Sequence, residues 1–252
     1  MSVNGFVKSE KSGHKLYITF HHPKSNSLPS NLLNELAEQI NAASNDDEIN
    51  VVIIKSEGEK TFCAGASFDE LLLIDNFETG KKFFMGFAKV LNAIRKCPKF
   101  FVARVQGKVV GGGVGLVAAC DYAIATSTAS VKLSELAIGI GPFVIAPAIE
   151  RKVGKETLSA MTINFEWRNA DWAYSKGLFD DVYTSMNELD SAVENLANRL
   201  SGTNPEAVRE LKKMFWEGTD NWGELLEERA EISGKLVLSE HTRKYIETFK
   251  GI

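Results

Sequence analysis

Lys108–Leu116 reads KVVGGGVGL, four glycines within five residues, in the most hydrophobic part of a 252-residue chain. Glycine inside a helix or strand costs roughly 0.5–1 kcal/mol relative to alanine, so such a run calls for a close backbone approach or a ligand. Phe100–Val105 upstream is strand-like, and Gly112–Cys120 downstream reads as a buried helix. The glycines therefore fall at the carboxyl end of a strand, the usual ligand crevice of open α/β folds. A second small-residue turn, Phe62-Cys63-Ala64-Gly65-Ala66-Ser67-Phe68, follows the short β-branched run Val51–Ile54 in the same manner. Backbone N–H groups freed at such turns favour developing negative charge, and two of them converging on one oxygen make an oxyanion hole. Turns that serve only close packing carry the same signature. Nucleotide motifs fit poorly: GGGVG has no Gly-Lys-Ser/Thr and does not follow the G-x-G-x-x-G register. There is no Gly-x-Ser-x-Gly elbow either.

Around this centre the pattern alternates strand and helix. FVKSEKSGHKLYITFHH alternates apolar and polar residues about Ser12-Gly13 and predicts a β-hairpin ended by Pro23. Leu32, Leu33, Leu36 and Ile40 recur at helical spacing over Pro29–Ala43, with Ser27 or Ser30 as cap. An amphipathic helix is expected over Gly80–Arg95, stopping before Cys97-Pro98, and a strand over Asp121–Ala125. Beyond about residue 145 the pattern is helical, with amphipathic segments near 186–200, 205–217 and 222–237. Strands alternating with helices imply parallel sheet, hence an α/β catalytic core over residues 1–195 and a C-terminal helical region over 196–252. The apolar positions of the last helices suit an interface or a core equally.

Composition narrows the function. With 44% hydrophobic and 25% charged residues the chain is that of an ordinary globular protein, and a net charge of −4 gives no electrostatic case for nucleic acid. No apolar run approaches the length of a membrane span, and no polybasic anchor or signal peptide is evident. The closing FKGI is not a peroxisomal address. Cys63, Cys97 and Cys120 lack C-x-x-C spacing, which suits a reducing cytosol and argues against disulfides and thiolate metal sites. Adjacent His21 and His22, with isolated His14 and His241, make no metal set. The expectation is a cytoplasmic protein without metal.

Several segments together resemble the enoyl-CoA hydratase/isomerase (crotonase) superfamily, collinearly over nearly the whole chain. Pro23-Lys24-Ser25-Asn26-Ser27-Leu28 is similar to P-x-x-N-A-L, and FCAGASF to F-x-A-G-A-D-[IL]. GGGVGLVAACDYAIA is similar to G-G-G-x-E-L-x-x-x-C-D-x-x-x-A, VKLSELAIGIGP to F-x-x-P-E-x-x-[LI]-G-x-x-P, and SEHTRKYIETFKGI to the closing helix. The resemblance implies a ββα spiral core with a C-terminal all-helical trimerisation part, and a homotrimer or homohexamer. It implies an acyl-CoA thioester as substrate, with coenzyme A as part of the substrate and no separate cofactor. The thioester oxygen would lie between the N–H groups of Ala66 and Gly112. Asn26, Ala64, Gly65, Phe68, Gly111, Gly115, Pro142 and Phe143 fall at substrate-binding positions.

The acid–base pattern departs from the family's hydratases. They use two glutamates; the second maps onto Glu135, while the first maps onto Gly115, which carries no carboxylate. Leu133, Leu136 and Ala137 around Glu135 would raise its pKa toward neutrality and suit a general base. One carboxylate suffices to move a proton from C2 to C4, and the apolar Gly139-Ile140-Gly141-Pro142-Phe143-Val144-Ile145 loop resembles that of family isomerases. Δ3,Δ2-enoyl-CoA isomerisation is therefore the favoured expectation. The alternatives are an enoyl-CoA hydratase, methylglutaconyl-CoA hydratase-like ones included, and a non-catalytic acyl-CoA-binding protein or thioesterase. Phe143 reads as a lid or as core. Ser67 stands where the family has Asp, and Arg243-Lys244, where the family has Glu-Gly, reads as a solvated basic face or as a contact for CoA phosphates of a neighbouring subunit.

Overall fold

A computed structural model describes residues 5–248; the first four residues and the closing FKGI lie outside it. Phe6–Ser12 (β1) and Lys15–His21 (β2) form the antiparallel hairpin about Ser12-Gly13, with Gly13 at φ 58° where a side chain would be strained. After Ser30–Ser44 (α1) the chain repeats one unit three times: a strand in a large sheet, a strand in a small one, then helix. The first unit is Val51–Ser56 (β3), Thr61–Cys63 (β4), Phe68–Leu72 (α2) and Phe77–Lys96 (α3). The second is Phe100–Val105 (β5), Lys108–Val110 (β6) and Gly112–Ala119 (α4). The third is Tyr122–Thr126 (β7), Ser130–Lys132 (β8), a 3-10 turn at Leu136–Ile138 and Ala146–Ile163 (α5). Arg168–Asn169 (β9), Ala170–Ser175 (α6) and Asp181–Tyr183 (β10) follow, then Met186–Ser201 (α7), Pro205–Phe215 (α8), Trp222–Leu236 (α9) and Glu240–Glu247 (α10).

The large sheet runs β1-β2-β3-β5-β7-β10, parallel from β2 onward, and the small one runs β4-β6-β8-β9. This spiral of ββα units around two sheets is the mixed α/β fold the sequence predicts. β3 and β5 are apolar along most of their length because both faces are covered, by α1 and α3 on one side and α7 on the other. Where the chain passes from large sheet to small, buried Gln106 donates from Nε2 to Ser56 Oγ (2.8 Å), and Thr126 Oγ1 donates to Gln106 O (3.0 Å). This polar clasp pairs the side-chain N–H and the main-chain carbonyl of Gln106, which the corner takes out of water.

Two details differ from the sequence reading. Neither Ser27 nor Ser30 caps α1; Pro29 holds the cap position, and Glu70 Oε2 accepts from both Ser30 N (2.9 Å) and Ser30 Oγ (2.7 Å). A carboxylate from α2 thus takes the open N–H and the positive end of α1. The boundary between residues 195 and 196 falls inside α7, whose Leu189, Val193 and Ala197 pack as one face on the large sheet. Helices beyond it pack back on the core of the same chain. α9 lies along α3 so closely that a Cβ on Gly80 would stand 3.1 Å from Gly234 Cα. Lys212 of α8 pairs with Asp121 at 2.5 Å, both side chains buried.

Candidate active site

The small sheet delivers three loops side by side. β4, β6 and β8 are parallel neighbours, Cys63 opposite Val109 and Val109 opposite Val131. The segment after β4 carries Ala66, that after β6 carries Gly112, and that after β8 carries Glu135. Parallel strands end on the same side, so the three residues meet although 69 positions separate the first from the last.

Each loop is shaped to expose main chain. Leu28 N–H donates to Gly65 O (2.8 Å) and Ser67 N–H donates to Leu28 O (3.2 Å), a parallel bridge between Leu28 and Ala66. The neighbours of Ala66 carry both bonds, so its own N–H points away from the bridge. Gly65 sits at φ 88°, and a Cβ there would lie 3.4 Å from Gly112 N and 3.1 Å from Val110 O, so the first two loops are in contact. Gly111, at φ 52° and ψ −120°, turns the chain into α4, anchored by its N–H on Lys132 O (2.9 Å). Gly112 is the first helical residue, whose N–H has no partner inside a helix. Ser67, where the family carries Asp, caps α2 by accepting from Glu70 N (3.4 Å).

Glu135 leans over Gly111: a Cβ on that glycine would stand 2.8 Å from Glu135 Oε1. Gly111 is thus glycine twice over, for its positive φ and for the carboxyl it accommodates. The residue is half-buried, but Oε2 is sealed from water and has no hydrogen-bond partner among the described residues. Burial pushes its pKa up to about 7, against a smaller opposing pull from the backbone N–H groups of Glu135 and Ser134. A carboxyl so placed exists in both protonation states near neutrality, the condition for taking and returning a proton.

These groups open on a cavity of about 160 Å³ lined by apolar side chains. Of the residues singled out in the sequence, Ala64, Gly65, Ala66, Phe68, Gly111, Gly112, Glu135, Pro142 and Phe143 line it. Phe143 is half-buried and lies back against Gly141 at its edge. Two others do not line it. Asn26 is buried behind the first loop, donating from Nδ2 to Glu57 O (2.7 Å) and Thr61 O (2.8 Å) and accepting from His22 N (3.0 Å), so it braces the loop ahead of α1. Gly115 is covered: Ile145 stands between it and the cavity, its Cγ2 2.5 Å from where a Cβ on Gly115 would be. Arg243 is engaged elsewhere, donating to Asp75 O (3.3 Å), and Lys244 pairs with Glu240.

The sequence reading found the loop that supplies Ile140, Val144 and Ile145 but missed the rest of the far wall: Leu71, Phe83, Phe84 and Phe87 from α2 and α3, Ile138 after β8, and Ser233 from α9. An amphipathic helix face looks the same whether it packs on core or on a ligand, so periodicity held no signal for them. Ser233 brings the C-terminal helical region into the site.

The profile of the enoyl-CoA hydratase/isomerase family matches residues 10–250. The chain is 32% identical over 220 residues to a short-chain-enoyl-CoA hydratase of Clostridium acetobutylicum, covering 86% of this chain and 83% of that one. It is 29% identical over 199 residues to the mitochondrial methylglutaconyl-CoA hydratase of Rattus norvegicus, covering 77% of this chain and 63% of the relative. Among solved structures, an enoyl-CoA hydratase from Bacillus halodurans superposes with a TM-score of 0.89 over 96% of this chain and 99% of its own, at 24% identity, which speaks to the fold. Loop placement, sequence profile and fold agree: the chain belongs to the enoyl-CoA hydratase/isomerase family of enzymes.

Proposed function

We propose that this enzyme binds an enoyl-CoA thioester and moves its double bond between C3 and C2, with Glu135 as the sole proton carrier. The carrying observation is that Glu135 is the one ionisable side chain among the residues lining the cavity. The ionised carboxylate takes a proton from C2 of a 3-enoyl thioester. The electron pair spreads through the dienolate onto the thioester oxygen, where the N–H groups of Ala66 and Gly112 face it. Protonated Glu135 then returns the proton to C4, leaving the double bond at C2–C3 and the carboxylate restored. One such N–H donor contributes about 3–4 kcal/mol to a developing oxyanion. Apolar walls keep water from competing for the dienolate.

Purified protein incubated with 3-hexenoyl-CoA should give 2-hexenoyl-CoA, followed by absorbance of the conjugated thioester. Crotonyl-CoA should be hydrated at less than about a tenth of that rate. Hydration as the faster reaction would replace this reading with the hydratase one, and release of free CoA with a thioesterase. Binding without turnover of either substrate would make the protein an acyl-CoA carrier.

Self-association into a homotrimer or homohexamer is part of the same proposal. Leu211, Met214 and Phe215 leave an exposed apolar strip on α8 that a second copy would cover. Light scattering should give three or six times the 27.8 kDa chain mass, and a monomer at micromolar concentration would exclude it. We place the enzyme in the cytoplasm on the cysteine pattern; secretion of the protein in a fractionated cell would overturn that.

A further inference from the structure

Two glycines of the KVVGGGVGL stretch touch the cavity wall from behind. A Cβ on Gly112 would lie 2.3 Å from the Phe87 ring, and one on Gly115 would lie 2.5 Å from Ile145 Cγ2. Both distances are far inside van der Waals contact, so these side chains already rest on the main chain of α4. Phe87 and Ile145 line the cavity and are 5% and 4% exposed. Behind them α4 is buried at every residue. A wall backed by close-packed main chain cannot recede to admit a longer ligand. Ile145 is also β-branched, which leaves it little freedom to swing aside. The cavity in front is small, about 160 Å³, below the roughly 300–1,000 Å³ of pockets that take drug-sized ligands.

We propose that Phe87 and Ile145, seated on Gly112 and Gly115, form a fixed end wall that restricts the enzyme to short-chain acyl thioesters, and that Ile145 sets the limit. The assignment rests on reading the cavity as the acyl-CoA site. Ile145 is the controlling residue because it rests on Gly115, about one helical turn beyond Gly112. Trimming Phe87 would disturb the donor itself, whereas trimming Ile145 lengthens the cavity and leaves the donor in place.

Saturated thioesters test this without turnover. Calorimetric titration of the full chain should show hexanoyl-CoA binding at least about tenfold tighter than decanoyl-CoA, the scale on which apolar pockets discriminate methylenes. In Ile145→Ala that preference should fall by about tenfold or more, because decanoyl-CoA binds more tightly than it does to the parent. Ile145→Val, which removes one methyl, should fall between and remains informative if the alanine variant does not fold. Equal binding of both thioesters by the parent, or an unchanged preference in the folded variants, would overturn the end wall while leaving the acyl-CoA reading intact. Failure of the parent to bind either thioester would overturn the acyl-CoA reading itself, and the end wall with it.

Discussion

Replacing Glu135 with glutamine should lower kcat for enoyl-CoA turnover by about 10³-fold, within the range attributed to positioned acid–base groups. The same substitution should stabilise the folded chain in alkali. An ordinary glutamate titrates at 4.5, whereas burial pushes Glu135 up to about 7. A raised pKa means that the fold prefers the protonated form. That contribution is fully present below about pH 4.5 and is lost as pH rises through about 7. The gap corresponds to about 3 kcal/mol, which a neutral glutamine would not lose. Tm of Glu135→Gln should therefore exceed that of the parent at pH 9, with the difference vanishing near pH 4. Activity has the opposite dependence, because the carboxylate is the working form. The kcat/KM of the parent should fall about tenfold per pH unit below about 7. Full activity in the glutamine variant on the substrate that the parent turns over would reject the mechanism.

Truncating Asp121 to alanine should cost about 3–5 kcal/mol, the penalty for leaving a buried charge without its partner. Lys212 is 2% exposed and sits between the rings of Phe101 and Trp216, 5.1 and 5.5 Å from their centroids. Asp121 Oδ2 takes its ammonium at 2.5 Å and also accepts the N–H of Phe101 at 2.8 Å. The alanine variant strands the ammonium and one strand N–H together. Thermal unfolding should drop by about 10 °C for a chain of this size. Asp121→Leu combined with Lys212→Met removes both charges and should recover much of that loss, since an apolar pair of similar volume is often neutral to stability. A double variant as unstable as the single one would show that the cost lies in packing rather than in the charge.

The parts of the fold legible in the sequence were those written in short-range pattern. The hairpin, α1, β3, β5 and the buried α4 follow from alternation, helical spacing and β-branched runs. The three-residue strands β4, β6 and β8 are too short to show any period, yet they bring the loops carrying Ala66, Gly112 and Glu135 together. Within the site, Gly65, Gly111 and Gly112 were legible because a glycine among apolar residues needs a reason. Asn26 misled for a related cause: a buried asparagine in a turn binds main chain as readily as it binds a ligand, and here it holds Glu57 O and Thr61 O. Gly115 was the instructive case. An absent side chain in sequence says nothing about what fills the space, and only the packing shows that Ile145 does. Phe83, Phe84 and Phe87 lie on α3 at positions indistinguishable from core until the cavity beside them is seen.

The close approach of Gly80 and Gly234 bears on how such a protein can diverge. Where two helices meet through side chains, lineages can retune their spacing a methyl group at a time. Here Gly234 would place a Cβ 2.8 Å from Lys81 N, so α3 and α9 meet main chain to main chain and there is no smaller step to take. Descendants would inherit this crossing almost unchanged, and with it the placement of Ser233. Variation in what the enzyme accepts is then channelled into the residues facing the cavity from the other walls.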